Sequence, residues 1–143
     1  MKNIKPKLIK LFKEGYCTPQ IARIAKEIDE PSTTIHYNIK SLEKEGAIKT
    51  YKAVFNYKKI DEGFCAYVLI NNKGYEGART LAKYKEVESV DLITGDWELI
   101  IKVRTKDQDE FNDFLYNLLY KENFSKTLSL VSLKQFKTEF VSL

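Results

Sequence analysis

The sequence is poor in the residue types that mark several functional classes. It has two cysteines, one histidine, one methionine, one tryptophan and three prolines in 143 residues. Cys17, Cys65 and His36 are too few for a structural zinc site of the usual spacing. A Cys17–Cys65 disulfide is not expected in a reducing compartment. No apolar run approaches the roughly 20 residues that span a bilayer. The opening Met1-Lys2-Asn3-Ile4-Lys5-Pro6-Lys7 lacks the long apolar core of a secretory leader, so the expected location is the cytoplasm. There is no Gly-rich phosphate loop and no carboxylate or Cys/His pair placed beside one. Cys65 falls within an apolar strand pattern and reads as a small core residue. These absences argue against an enzyme and against a metal or other cofactor.

Charge is present and unevenly spread. Residues 1–60 hold 13 lysines and arginines against 6 acidic residues, a net +7, and residues 61–143 hold 11 against 14, a net −3. A basic front half joined to a slightly acidic back half fits one part that meets a polyanion and one that does not. With 43% hydrophobic and 13% aromatic residues, both halves have enough apolar side chains to fold.

The front half reads as three helices. Ile4, Leu8, Ile9, Leu11 and Phe12 form a helical stripe with Gly15 as its stop. Thr18 as N-cap and Pro19 at the first position would open a second helix, with Ile21, Ile24, Ala25 and Ile28 inward. Asp29-Glu30-Pro31 breaks it. Ser32 is expected to cap a third helix, with Ile35, Ile39 and Leu42 facing the core and Gly46 ending it. Two helices separated by three or four turn residues have the helix-turn-helix spacing. Ile48 to Tyr57, rich in aromatic and β-branched residues, reads as a strand or wing.

In such a motif the second helix enters the DNA groove amino end first. Its outward residues suit that role. Ser32, Thr33, Thr34, His36, Tyr37 and Asn38 offer groups for base edges or phosphates, and Lys40, Lys44, Lys49 and Lys52 suit phosphate. The domain is placed at 1–52, with a linker at 53–63.

Beyond Asp61-Glu62-Gly63 the period changes. A strand at Phe64–Ile70, a helix at Tyr75–Val87, strands at Val90–Thr94 and Trp97–Val103 around Gly95-Asp96, a helix opened by the capping box Asp107–Glu110, and a strand at Thr127–Lys134 are expected. The order β-α-β-β-α-β is the ferredoxin-like arrangement, here placed at 64–143. The class is therefore α+β. The two readings that remain are a DNA-binding regulator and a winged-helix adaptor that binds another protein. Steeply salt-dependent binding to duplex DNA separates them.

The runs Ile21-Ala22-Arg23-Ile24-Ala25-Lys26-Glu27-Ile28 and Ser32 to Ile48, ending Leu42-Glu43-Lys44-Glu45-Gly46-Ala47-Ile48, resemble the DNA-binding domain of Lrp/AsnC (feast/famine) regulators, archaeal ones especially. Thr94-Gly95-Asp96-Trp97-Glu98-Leu99-Ile100-Ile101-Lys102-Val103 resembles the family's Gly-x-aromatic-Asp hairpin, and Ser125 to Val131 its final strand. The resemblance implies a RAM- or ACT-like effector domain whose sheets pair into homodimers, with further assembly to tetramers or octamers. It also implies an amino acid or similar small molecule bound near Gly95, Asp96, Trp97, Thr127 and Ser129. Three positions and the start of the chain depart from the family pattern. Asn38 stands where Arg is usual, Glu98 replaces the Asp, Ser129 replaces a Thr, and a lysine-rich start replaces an acidic one.

Overall fold

The computed structural model describes residues 1–15, 20–138 and 141–142. The expected Thr18-Pro19 cap and Cys17 lie outside the described residues. The chain divides into two compact units, residues 1–54 with 135–143, and residues 55–134.

The first unit holds helices α1 (Lys5–Lys13), α2 (Ile21–Ile28) and α3 (Ser32–Lys44), and a short pair of strands, β5 (Lys137–Thr138) and β6 (Val141–Ser142). The sequence places residues 135–143 with the second domain, but they group with the first unit. One core joins the three helices: Ile4, Leu8, Leu11, Ile24, Ile35, Ile39 and Leu42 are buried together. Burying each such side chain stabilises the unit by about 1.5–3 kcal/mol before chain entropy is set against it.

The connections follow local chemistry. Asn3 Oδ1 accepts from the Lys5 N–H at 3.0 Å as α1 begins. Asp29, in the left-handed region at φ 53°, ends α2. Ser32 does not cap α3. Pro31 occupies the N-cap position, its carbonyl accepting from the Ile35 N–H at 3.1 Å, and Ser32 is the first helical residue. Proline serves here because its ring fixes φ near the required value. Gly46 at φ 80° turns the chain after α3, and the Ile48 N–H closes back on the Leu42 carbonyl at 3.1 Å.

The expected strand at Ile48–Tyr57 is absent. Residues 48–56 carry no helix or strand, and Tyr57–Ile60 form a 3-10 turn. Strand-prone residues need a neighbour to complete a ladder, and among the described residues none pairs with this stretch. Tyr51 instead packs edge-on against Phe12, ring centroids 6.1 Å apart.

The second unit is a four-stranded antiparallel sheet with helices on one face. Its elements are β1 (Phe64–Ile70), α4 (Gly74–Leu81), β2 (Val87–Leu92), β3 (Leu99–Thr105), α5 (Gln108–Tyr116) with a π turn at Asn117–Lys121, and β4 (Thr127–Val131). The strand order is β2-β3-β1-β4, as the β-α-β-β-α-β sequence order requires. The expected helix to Val87 ends at Leu81, because β2 begins at Val87 rather than Val90. Likewise β3 begins at Leu99 and β4 stops at Val131. Ala66, Val68, Ile70, Leu99, Ile101 and Val103 alternate onto the helix side and pack on Leu81, Phe111, Phe114 and Leu118. The Asp107 carboxylate accepts from the Glu110 N–H at 2.9 Å, and Glu110 reaches back to the Lys106 N–H at 3.0 Å. A register shift between Val87 and Ser89 aims Glu88 at Lys102 and Arg104. Among the described residues no helix is long and apolar enough to cross a membrane.

Candidate functional site

The periodicity of α3 splits its residues into two faces. Thr34, Ile35, Asn38, Ile39 and Leu42 are buried. Ser32, Thr33, His36, Tyr37, Lys40 and Lys44 are exposed, and Tyr37 leaves 55% of its surface in solvent although it is aromatic. A hydroxyl, imidazole, phenol and ammonium row on a helix backed by an aliphatic core presents donors and acceptors to solvent from a fixed backbone. Lys40 leans toward Glu43 at 3.6 Å, an exposed pair of small energetic weight. Lys49 and Lys52 are exposed on the extended stretch that follows.

Two residues expected on the outward face are not there. Asn38 is 1% exposed and Thr34 7%. A helix stripe wider than Ile35-Ile39-Leu42 turns i−1 and i+3 neighbours inward as well. The Asn38 carboxamide is fully used inside. Its oxygen accepts from the Ile4 N–H at 3.1 Å, and its nitrogen donates to the carbonyls of Lys2 at 2.9 Å and Thr34 at 2.8 Å. The Thr34 hydroxyl lies 3.5 Å from Met1 Sδ. Asn38 is therefore an internal clamp and not a groove-facing residue.

Glu30 is a further residue that patterning missed. It precedes Pro31, is 8% exposed, and accepts from Lys2 Nζ at 2.9 Å and Lys7 Nζ at 3.0 Å. The hydrogen bond from Lys2, then that from Lys7, holds its carboxyl below the usual carboxylate range, against an opposing effect of desolvation. Its place beside Pro31, in the acidic run Glu27-Ile28-Asp29-Glu30, gives no sign of the distant Lys2 and Lys7.

In the second unit the residues expected near an effector gather at one end of the sheet. Residues 93–98 form the β2–β3 loop, with Gly95 at φ 109°, a conformation that side chains rarely adopt. Asn71 ties this loop to its neighbours. Its carboxamide nitrogen donates to the Asp96 carbonyl at 2.8 Å, its carboxamide oxygen accepts from the Glu98 N–H at 2.7 Å, and its own N–H donates to the Lys126 carbonyl at 3.0 Å, next to Thr127. Glu98 Oε1 accepts from the N–H groups of Gly74 at 2.6 Å and Lys73 at 3.0 Å. Those bonds, Gly74's first, hold its carboxyl below the ordinary value. Gly95, Asp96 and Trp97 thus share a braced corner with Thr127. Ser129, opposite Val68, lies two residues further along the strand. Sequence pattern does not mark Asn71 and Glu98 as site residues, because side chains that bond loop backbone leave no periodic trace.

The outer face of the sheet is apolar at its centre. Leu69 pairs with Leu128 and Ile100, and Tyr67 with Leu130 and Lys102. Leu128 and Leu130 are 45% and 46% exposed.

Residues 65–141 match the model of the Lrp/AsnC ligand binding domain. The chain is 33% identical over 138 residues to the HTH-type transcriptional regulator FL11 of Pyrococcus furiosus, covering 94% of this chain and 91% of that protein. It is also 33% identical over 126 residues to an uncharacterized HTH-type transcriptional regulator of Pyrococcus abyssi, covering 83% and 84%. In fold it resembles an AsnC family transcriptional regulator from Agrobacterium tumefaciens, with a TM-score of 0.82 at 19% identity over 96% of this chain and 94% of that one. A Neisseria meningitidis transcriptional regulator solved as an L-Met complex gives a TM-score of 0.81 at 19% identity, over 96% and 93%. The identity, its reach along both chains and the family match together establish that this chain belongs to the Lrp/AsnC family.

Proposed function

We propose that this protein is a sequence-specific, DNA-binding transcriptional regulator with no catalytic role of its own, working in the cytoplasm. The observation that carries this reading is α3: a rigidly backed row of Ser32, Thr33, His36, Tyr37 and Lys40 exposed on a helix-turn-helix in a strongly basic part of the chain. Thr33, His36 and Tyr37, near its amino end, read base edges. Lys40, Lys44, Lys49 and Lys52 bind phosphate and set affinity. The relatives in Pyrococcus furiosus and Pyrococcus abyssi, both HTH-type transcriptional regulators, support the same reading.

The protein acts as a homodimer or larger assembly built on the outer sheet face of the second unit. A half-exposed Leu128-Leu130 row beside Leu69 and Ile100 supports this, since an apolar face of that kind is stable when covered. Two copies of α3 then read half-sites about 10 base pairs, or a multiple, apart. An amino acid or similar small molecule binds at the corner of Gly95, Asp96, Trp97, Thr127 and Ser129. The L-Met complex of the Neisseria meningitidis regulator supports the ligand class. The effector changes DNA affinity through its differential binding to two arrangements of the assembly.

Titrating the protein onto duplex DNA at rising salt tests this reading. Affinity that falls steeply with salt is expected. No binding even at low salt overturns it and favours the adaptor reading.

A further inference from the structure

The start of the chain is held on α3 by more bonds than an incidental segment needs. Asn38 takes the Ile4 N–H and the Lys2 carbonyl, fixing the backbone on both sides of Asn3. Glu30 takes the side chains of Lys2 and Lys7. The anchors are buried and the lysines are not. The Glu30 side chain is 5% exposed, against 65% for Lys2 and 54% for Lys7.

The charge at this point is not balanced. Both ammonium groups meet the same carboxylate oxygen, so they lie within about 6 Å of each other and repel. One carboxylate offsets one of the two charges and leaves the cluster net positive. Each ammonium has three donors and gives Glu30 only one. Both lysine side chains stay largely in solvent, which leaves the other donors open to a further partner.

The location narrows the partner. The cluster sits on the turn immediately before α3, and its backbone is clamped to α3 itself. A helix of about 10–12 Å diameter fills a major groove about 12 Å wide, so whatever flanks the helix meets the phosphate rails on either side. We propose that the segment Met1–Lys7 is a second DNA-contacting element, in which Lys2 and Lys7 bind backbone phosphate, Glu30 gathers their ammonium groups, and Asn38 positions the backbone of Lys2 beside the recognition helix. The inference rests on the regulator reading above and adds residues to it.

The test is the slope of log affinity against log salt for the full-length protein on a long mixed-sequence duplex, where contacts to phosphate are counted regardless of sequence. Each lysine removed lowers the slope by about 0.9. The double variant K2Q/K7Q is therefore expected to lose about 1.8, whereas K83Q/K85Q, which removes the same charge from an exposed loop of the second unit, keeps the wild-type slope. N38A leaves every charge in place. Its slope is expected to fall part of the way toward that of K2Q/K7Q, because the backbone at Lys2 is no longer tied to α3 while Lys7 stays placed by α1. A wild-type slope in K2Q/K7Q overturns the proposal, and the test needs no core residue changed. A wild-type slope in N38A together with a lowered melting temperature overturns the positioning role. If the wild-type protein binds no duplex at low salt, the regulator reading has failed and this inference with it.

Discussion

The backbone N–H of Ile4 donates to the carboxamide oxygen of Asn38 at 3.1 Å, tying the entry of α1 to the buried side of α3. Two further bonds from the same carboxamide, to the Lys2 and Thr34 carbonyls, leave no polar atom of the side chain unused. Replacing Asn38 with Leu strands a buried N–H and removes both donors. A loss of stability of about 1–3 kcal/mol is expected for each buried group left unpaired. Chemical denaturation of N38L beside wild type measures it. An unchanged midpoint contradicts the clamp.

The carboxylate of Glu98 braces the β2–β3 loop against the start of α4. Because its folded pKa lies below the ordinary value of 4.5, the stability it contributes is fully present above that value. It is lost as pH falls through the folded pKa. Glu30 has the same sign for its own reasons. The melting temperature of wild type is therefore expected to hold above about pH 4.5 and to drop as pH is lowered further. E98Q should start lower at neutral pH and drop less across that range, since a carboxamide does not titrate. Equal slopes for the two proteins would count against the brace.

Side chains on the two faces of α3 should separate by the kind of effect they have. His36→Ala and Thr33→Ala are expected to relax preference at one or two base pairs by about 1–3 kcal/mol while leaving the melting temperature nearly unchanged. Lys40→Ala should weaken binding to all sequences alike. Thr34→Val, at a position 7% exposed, should leave sequence preference intact. Competition binding against a panel of single-base variants of a selected site resolves these cases. A changed preference in T34V would show that the helix faces are wrongly assigned.

The proposed assembly interface is the outer sheet face. Leu130, opposite Tyr67 and 46% exposed, projects from it. Leu130→Lys adds a charge where two copies would meet and is expected to shift the mass measured by light scattering toward the monomer. The folded unit should survive, because the side chain lies outside the helix-side core. An assembly unaffected by L130K places the interface elsewhere.

The parts of this molecule legible in its sequence are those with a repeat. The Ile35-Ile39-Leu42 stripe located α3 because a helix buries every third or fourth residue. The alternation in Phe64–Ile70 and its neighbours gave the β-α-β-β-α-β order. The parts that were not legible depend on single side chains or on absent partners. Asn38 and Thr34 are polar, so composition puts them outside, but most of the bonds that satisfy them come from residues 1–4, more than thirty positions away. Ile48–Tyr57 has strand-forming residues and yet no ladder, because propensity describes a residue's preference and says nothing about whether a second strand is available. Asn71 and Glu98 bond backbone across 24 to 27 positions, a separation at which local patterning is blind. At the candidate site, the identity of the helix was readable, whereas which of its polar residues face the groove required the fold.

The central claim is that α3 reads DNA sequence as one of a pair. Selection of bound duplexes from a random pool, carried out with wild type and with a H36A/Y37A variant, tests it most directly. The account predicts that wild type enriches a two-fold related motif with half-sites about one helical turn, or a multiple, apart, and that the variant binds the pool but loses that motif. Equal enrichment of the same motif by both proteins, or no enrichment by wild type, would contradict it.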